Sequence, residues 1–206
     1  MKSELHRILI VTGITFSSAG REDIDVRMLG DGRPFLLEIQ NARNPFTTNE
    51  ELYKVQQQVN ESTSLIQIHD LQKIRKRDCG KLKEGEEHKK KTYRCVVYIS
   101  EELTEERTKI LDGLKGKEFD LDQETPIRVL HRRTLSTRKK RIHNFEYQSI
   151  NSHFLIVDLE TQAGTYIKEF IHGDLGRTNP NLGSILNCEA DILQLDVLSI
   201  VFNWPP

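Results

Sequence analysis

The chain has 206 residues, of which 36% are hydrophobic and 30% charged, and its formal net charge is −1. At ~100–200 residues per domain this is one large domain or a tightly joined pair, long enough to build a core without a disulfide or metal staple. No apolar run approaches the ~20 residues of a bilayer-spanning helix. The three cysteines, Cys79, Cys95 and Cys188, are scattered and form no CxxC, which argues against a disulfide framework or a cysteine zinc site and for a reducing, intracellular compartment.

In chain order, the apolar run at residues 8–11 is too short for a secretory signal, and Glu4 speaks against a transit peptide; residues 7–12 read as a strand. Three glycines between Phe16 and Pro34 mark two turns, and a strand follows at 35–39. Residues 50–59 carry Leu52, Val55 and Val59 on one side, after Thr48 and Glu51 at capping-box spacing, which predicts an amphipathic helix. Residues 65–69 alternate like a strand. Residues 76–91 form a charged loop, and 92–99 are strand-like, with β-branched and aromatic residues.

A helix is expected over about 101–114, with Leu103, Arg107, Ile110, Leu111 and Leu114 on one side. Residues 127–130 read as a strand and 134–141 as a basic loop. Residues 145–150 and 153–159 form a hairpin across Asn151-Ser152. A short helix begins near Tyr166, after Gly164, and the tail at 192–202 is again strand-like. Short helices between hairpins, without a βαβ rhythm, predict an α+β fold around a mostly antiparallel sheet.

Charge is unevenly spread. Residues 73–94 hold ten Lys/Arg against four Asp/Glu, residues 127–143 hold seven Lys/Arg and no acid, and residues 101–124 hold nine acids against four bases. Segregated basic stretches in a neutral chain suggest a polyanion-binding face. The plainer reading is that charge runs are solvated loops.

Three short segments carry reactive groups. In Gly20-Arg21-Glu22-Asp23-Ile24-Asp25-Val26-Arg27 acids and arginines crowd beside a glycine. An aspartate within ~4–6 Å of a cation is kept ionised, which suits a base or nucleophile; a salt-bridged turn is the plainer account. Lys91-Thr92-Tyr93-Arg94 opens a strand, where Tyr93 is either a site residue or an edge tyrosine. In Gly164-Thr165-Tyr166-Ile167-Lys168-Glu169-Phe170, helical spacing puts Tyr166 and Lys168 on different faces, one for core and one for a site.

Together these segments resemble the pseudouridine synthases. The G-R-x-D turn is similar to that superfamily's catalytic-aspartate motif, Lys91-Thr92-Tyr93 to its tyrosine segment, and Gly164–Lys168 to its G-T-Y-I-[RK] segment. The strings FSSAGREDIDVRMLGDGRPF, TPIRVLHRR, TQAGTYIKEFIHGDLGRT and ADILQLDV resemble the catalytic domain of the archaeal and eukaryotic Pus ten family, from about Phe16 to Pro206.

The resemblance implies a pseudouridine synthase fold: a mixed, mainly antiparallel sheet with flanking helices and a central cleft, here one catalytic domain over residues 1–206. It implies isomerisation of uridine to pseudouridine in tRNA, at the adjacent positions 54 and 55 of the TΨC loop. It implies no metal and no cofactor, a monomer whose partner is tRNA, no membrane association, and a location in nucleus, cytoplasm or mitochondrion. Asp23 matches the catalytic aspartate, with Asp25 as its competitor. Tyr93 matches the base-stacking tyrosine, and Lys168 the basic residue paired with Asp23. Leu186 matches the apolar base-packing residue. Arg21 is expected at phosphate or supporting the active loop, and Arg132, Arg133, Arg138, Lys139, Lys140 and Arg141 at the RNA backbone. Members of that family carry an N-terminal accessory RNA-binding domain, which is expected to be absent here. The alternatives are a non-catalytic RNA-binding module of the same fold, or an interaction domain that docks a partner on the acidic helix at 101–114.

Overall fold

The computed structural model describes residues 12–43, 47–80, 82, 90–200 and 204. Where one domain over 1–206 is expected, the chain divides into two compact units. The first comprises residues 1–21, 32–86 and 202–206, and the second residues 22–31 and 87–201.

In the first unit, β1 (Gly13–Ser18) pairs antiparallel with β3 (Phe35–Gln40), in register from Gly13 opposite Gln40 to Ser18 opposite Phe35. The expected strand at 7–12 lies outside the described residues except for Thr12. The capping box forms as expected and opens α1 (Asn49–Ser62): the Glu51 amide donates to Thr48 Oγ1, and the Thr48 amide to the Glu51 carboxylate. Val55 and Val59 from α1 bury with Ile68 against Ile14, Phe35, Leu37, Ile39 and Leu71. Residues 65–69 are not a strand. The Asn60 side-chain amide takes both the N–H and the C=O of Ile68, at 2.8 and 2.9 Å. One side chain thus supplies what a neighbouring strand would.

The second unit is a seven-stranded sheet in the order β2-β9-β4-β7-β6-β5-β8. Its strands are β2 (Arg27–Met28), β4 (Lys90–Ile99), β5 (Phe119–Glu124), β6 (Thr137–Ser149), β7 (Phe154–Gln162), β8 (Thr178–Asn179) and β9 (Ala190–Ile200). Every neighbouring pair is antiparallel except β2 with β9. One face carries Tyr93, Cys95, Val97, Leu121, Ile142, Leu155, Val157 and Leu159. The helices α2 (Glu105–Leu114), α3 (Ile167–His172) and α4 (Leu182–Leu186) cover it with Leu111, Phe170, Ile171 and Leu186. The opposite face is charged and internally paired: Arg94 grips Asp158 at 2.8 and 2.7 Å, and Lys90 meets Glu160 at 2.6 Å. No helix among the described residues is long and apolar enough to cross a membrane.

Several boundaries differ from expectation. The helix expected from 101 starts at Glu105, where Thr104 caps it by accepting from the Arg107 amide. The acidic segment holds the unanticipated strand β5: Leu121 and Gln123 face inward while Asp120, Asp122 and Glu124 face solvent. The strand expected at 127–130 is instead a 3-10 turn, Ile127–Val129, following Pro126, with the Val129 amide bonded to the Pro126 carbonyl. The basic loop expected at 134–141 is ordered as strand from Thr137 onward, because β5 supplies it a ladder partner from Glu124 to Phe119. The charge run 73–94 is divided between the two units.

Candidate active site

The segment at 22–28 belongs to the second unit and is held by a series of ion pairs. Glu22 meets the Lys91 ammonium at 3.0 Å, Asp23 the Arg128 guanidinium at 2.6 Å, and Asp25 the Lys168 ammonium at 2.7 Å. Arg27 binds Asp196 on β9, with its Nε at 2.7 Å. At its far end, the Leu29 amide donates to the Val197 carbonyl at 2.8 Å. Gly30 then turns with φ of +61°, and a Cβ there would stand 2.2 Å from the Leu198 carbonyl oxygen. Only glycine fits that approach.

Opposite this segment stands the turn into α3. Gly164 adopts φ of +74°. The buried Gln123 amide then clamps the Tyr166 backbone from both sides, accepting its N–H and donating to its C=O, each at 2.9 Å. With the turn held, consecutive residues of α3 diverge as helical geometry requires. Lys168 reaches Asp25 and, at 3.8 Å, Asp23. Glu169 turns inward to 1% exposure and accepts from Arg128 Nε at 2.7 Å.

Arg128 therefore bridges a buried carboxylate and the Asp23 carboxylate, and its guanidinium lies 5.9 Å from the Tyr166 ring. The result is a row of alternating charges: Glu169, Arg128, Asp23, Lys168, Asp25. Burial pulls the Arg128 guanidinium down, but its bonds to Glu169 and the charge of Asp23 outweigh this and hold it above its ordinary value. The hydrogen bond from Lys168 holds the Asp25 carboxyl below the usual carboxylate range. Both cations meet Asp23 through Oδ2, and Oδ1 makes no hydrogen bond among the described residues. An oriented carboxylate with one open oxygen is placed to act on a bound substrate as nucleophile or base.

The structure brings together Asp23 and Lys168, as expected, but Lys168 sits closer to Asp25, and the shortest partner of Asp23 is Arg128. Arg128 and Glu169 were not singled out from the sequence. The available signal was the string TPIRVLHRR, in which the eye goes to the paired Arg132 and Arg133. Tyr93 lies on the covered face of β4, 3% exposed, two residues beyond Lys91 and beside a register shift between β4 and β9. Leu186 is 1% exposed within the core, and its carbonyl accepts from Arg107 Nε at 3.0 Å. Arg21 belongs to the first unit. Arg132 and Arg133 are exposed after the 3-10 turn.

The four cations at 138–141, expected as one basic loop, are instead divided by strand alternation. Lys139 and Arg141 lie on the solvent face, where Arg141 is held by Asp120 at 2.6 Å. Arg138 and Lys140 lie on the face of Ile142, with Arg138 Nη1 bonded to Thr125 Oγ1 and Lys140 Nζ to the Ala163 carbonyl. Among the described residues no group of three or more His, Cys, Asp or Glu side chains is gathered as a metal-ligand set.

A family model described as "Pus10, C-terminal" matches residues 1–201. The chain is 48% identical over 191 residues to a Homo sapiens protein named tRNA pseudouridine synthase Pus10, covering 93% of this chain and 36% of that protein. It is 39% identical over 186 residues to the protein of the same name from Methanosphaera stadtmanae, covering 90% of this chain and 44% of that one. The chain spans less than half the length of these curated relatives. Among solved structures, a chain in the crystal structure of a Cbf5-Nop10-Gar1 complex superposes with a TM-score of 0.53 at 16% identity, over 96% of this chain and 43% of that chain. That likeness is one of fold.

Proposed function

We propose, from the premise that this chain belongs to the Pus10, C-terminal family, that it is the catalytic part of a tRNA pseudouridine synthase acting without cofactor on uridines 54 and 55 of the TΨC loop. One observation carries the reading: in a chain of this family, Asp23 stands oriented by two cations, with Arg128 at 2.6 Å and Lys168 at 3.8 Å. The reaction breaks the C1′–N1 bond, turns the uracil while it stays bound, and joins C1′ to C5. The proton lost from C5 is balanced by one gained at N1, so the product is an isomer. Asp23 is the group that attacks the nucleoside or takes a proton from it, through the open Oδ1. Lys168 and Arg128 hold its other oxygen and offset its charge.

The target base must leave its stack, at a cost of a few kcal/mol, and be received by aromatic and apolar groups. Tyr93 and Leu186 take that part. Both are buried, so a flipped base reaches them only by parting the side chains above them. Arg21, Arg132, Arg133 and cations from the run 138–141 serve the RNA backbone, which sets affinity and register rather than base choice.

The test is pseudouridine mapping on an unmodified tRNA transcript with Asp23→Asn, which removes the charge and keeps the shape. Activity should fall by at least ~100-fold, the lower range for loss of a proton-transfer group, while transcript binding persists. Asp25→Asn should lose less, and Lys168→Arg should keep more activity than Lys168→Ala. Full activity in Asp23→Asn, with a normal fold, overturns Asp23 as the catalytic group; a wild-type chain that binds the transcript and makes no pseudouridine is an RNA-binding module instead.

A further inference from the structure

We propose that Arg138 and Lys140 form a subsite for one RNA backbone phosphodiester beside the Asp23 cluster, and that Lys139 and Arg141 do not share in it. The proposal rests on the function proposed above for its ligand. Its geometry is independent of that function.

The four residues look equivalent as a string, but the strand makes two pairs of them. On the solvent face, Arg141 is held by Asp120 through two bonds of 2.6 and 3.0 Å, with Glu118 at 3.8 Å. Lys139 stands across from Asp122 in register. Arg141 is thus paired with a carboxylate, and Lys139 shares its face with the β5 acids Asp120 and Asp122. On the other face, neither Arg138 nor Lys140 has a carboxylate within ion-pair distance among the described residues. Their partners are neutral oxygens, Thr125 Oγ1 at 3.3 Å and the Ala163 carbonyl at 2.8 Å. Both are half-buried. Burial, with the Arg138 charge next to it, pushes the Lys140 ammonium below its ordinary value. Two adjacent, partly desolvated cations with no counter-ion among the described residues present an unmet attraction for an anion. A phosphodiester oxygen meets it without adding a second charge.

Gly164 lies over Lys140, and a Cβ on it would stand 3.2 Å from the ammonium. The same two contacts tie the subsite to the cluster at Asp23. Thr125 lies three residues before Arg128, and Ala163 five residues before Lys168. Each cation of the subsite is therefore anchored at the root of a segment that delivers one cation to Asp23. A phosphate seated there would fix the backbone near the target nucleotide and steady both segments at once.

The experiment compares two double variants of the full chain, measuring affinity for unmodified tRNA transcript across a salt titration, with pseudouridine formation followed in parallel. Arg138→Gln/Lys140→Met removes both charges and keeps an unbranched side-chain stem at each position. Lys139→Ala/Arg141→Ala removes the other pair. Loss of one phosphate contact lowers the slope of log affinity against log salt by about 0.7–0.9. The first variant should lose about that much, and the second less than half as much. Arg138→Lys/Lys140→Arg, which retains both charges, should keep the wild-type slope and thereby separates charge from folding. Equal slopes for the two neutralised pairs, or an unchanged slope for Arg138→Gln/Lys140→Met, overturns the subsite even if the chain makes pseudouridine. Selective loss of slope in a chain that makes none upholds the subsite and overturns the function proposed above.

Discussion

The two units of this chain are stabilised on very different scales. The first sets a two-stranded ladder and one helix around Val55, Val59 and Ile68. The second lays seven strands under three helices and buries a continuous cluster from Tyr93 to Val197. Two strands alone are marginal in water, and three or more with an apolar face are not. The second unit also contains both ends of the ion pairs that link Asp23, Arg128, Glu169, Lys168 and Asp25. The proposed chemistry therefore stands on the more heavily packed part of the molecule, where positions are held tightly.

The largest expected effect sharpens that contrast. Phe145 is fully buried at the centre of the second core, and Phe145→Ala should cost about 3–5 kcal/mol. Urea unfolding monitored by circular dichroism should show it as loss of the main transition's midpoint. A cost under about 1 kcal/mol would mean the second core is looser than its burial indicates.

Val55 is likewise fully buried, but in the small core. Val55→Ala should cost about 2 kcal/mol from two lost methyl groups and the residual cavity. Hydrogen exchange locates the effect: amides of α1 should lose protection while those of β6 and β7 keep theirs. Equal loss across both units would show that they unfold as one and would break the comparison.

Gly30→Ala probes the seam that carries the Asp23 segment. Positive φ costs a non-glycine residue about 1–2 kcal/mol, and the added Cβ meets the Leu198 carbonyl oxygen. Pseudouridine formation should fall more than global stability does, because the displaced segment carries Asp23. Retained activity alongside lost stability would show that the Gly30 turn does not set the aspartate's position.

The smallest effect is one of pH. The Arg27 hydrogen bond holds the Asp196 carboxyl below the usual carboxylate range. A depressed carboxyl contributes stability that is present above the unfolded value near ~3.9 and is lost as pH falls through the folded value. Wild-type unfolding midpoints should therefore drop, as pH falls below about 4, more than those of Asp196→Asn. Parallel curves would show that the Arg27–Asp196 pair contributes nothing.

Much was legible in the sequence because it is local. Thr48 and Glu51 cap a helix three residues apart, the hairpin around Asn151-Ser152 joins neighbouring segments, and Gly164-Thr165-Tyr166 makes its own turn. The resemblance carried by the G-R-x-D and G-T-Y-I-K strings pointed to Asp23 and Lys168 as a pair. Beyond that, distance along the chain hid the answer. Arg128 reaches Asp23 across 105 residues and Glu169 across 41, and nothing within TPIRVLHRR marks the first arginine over the other two. The strand at 119–124 was masked by its acids, whose alternation means little until β6 lies alongside.

The run Arg138-Lys139-Lys140-Arg141 shows the division most plainly. Sequence by itself determined that four cations stand together and that this family's motifs surround them. Only the tertiary structure decided which two share a face with the β5 acids and which two, among the described residues, meet only neutral oxygens. A strand sends successive side chains to opposite faces, and the pairing of β6 with acidic β5 brings carboxylates to one face alone.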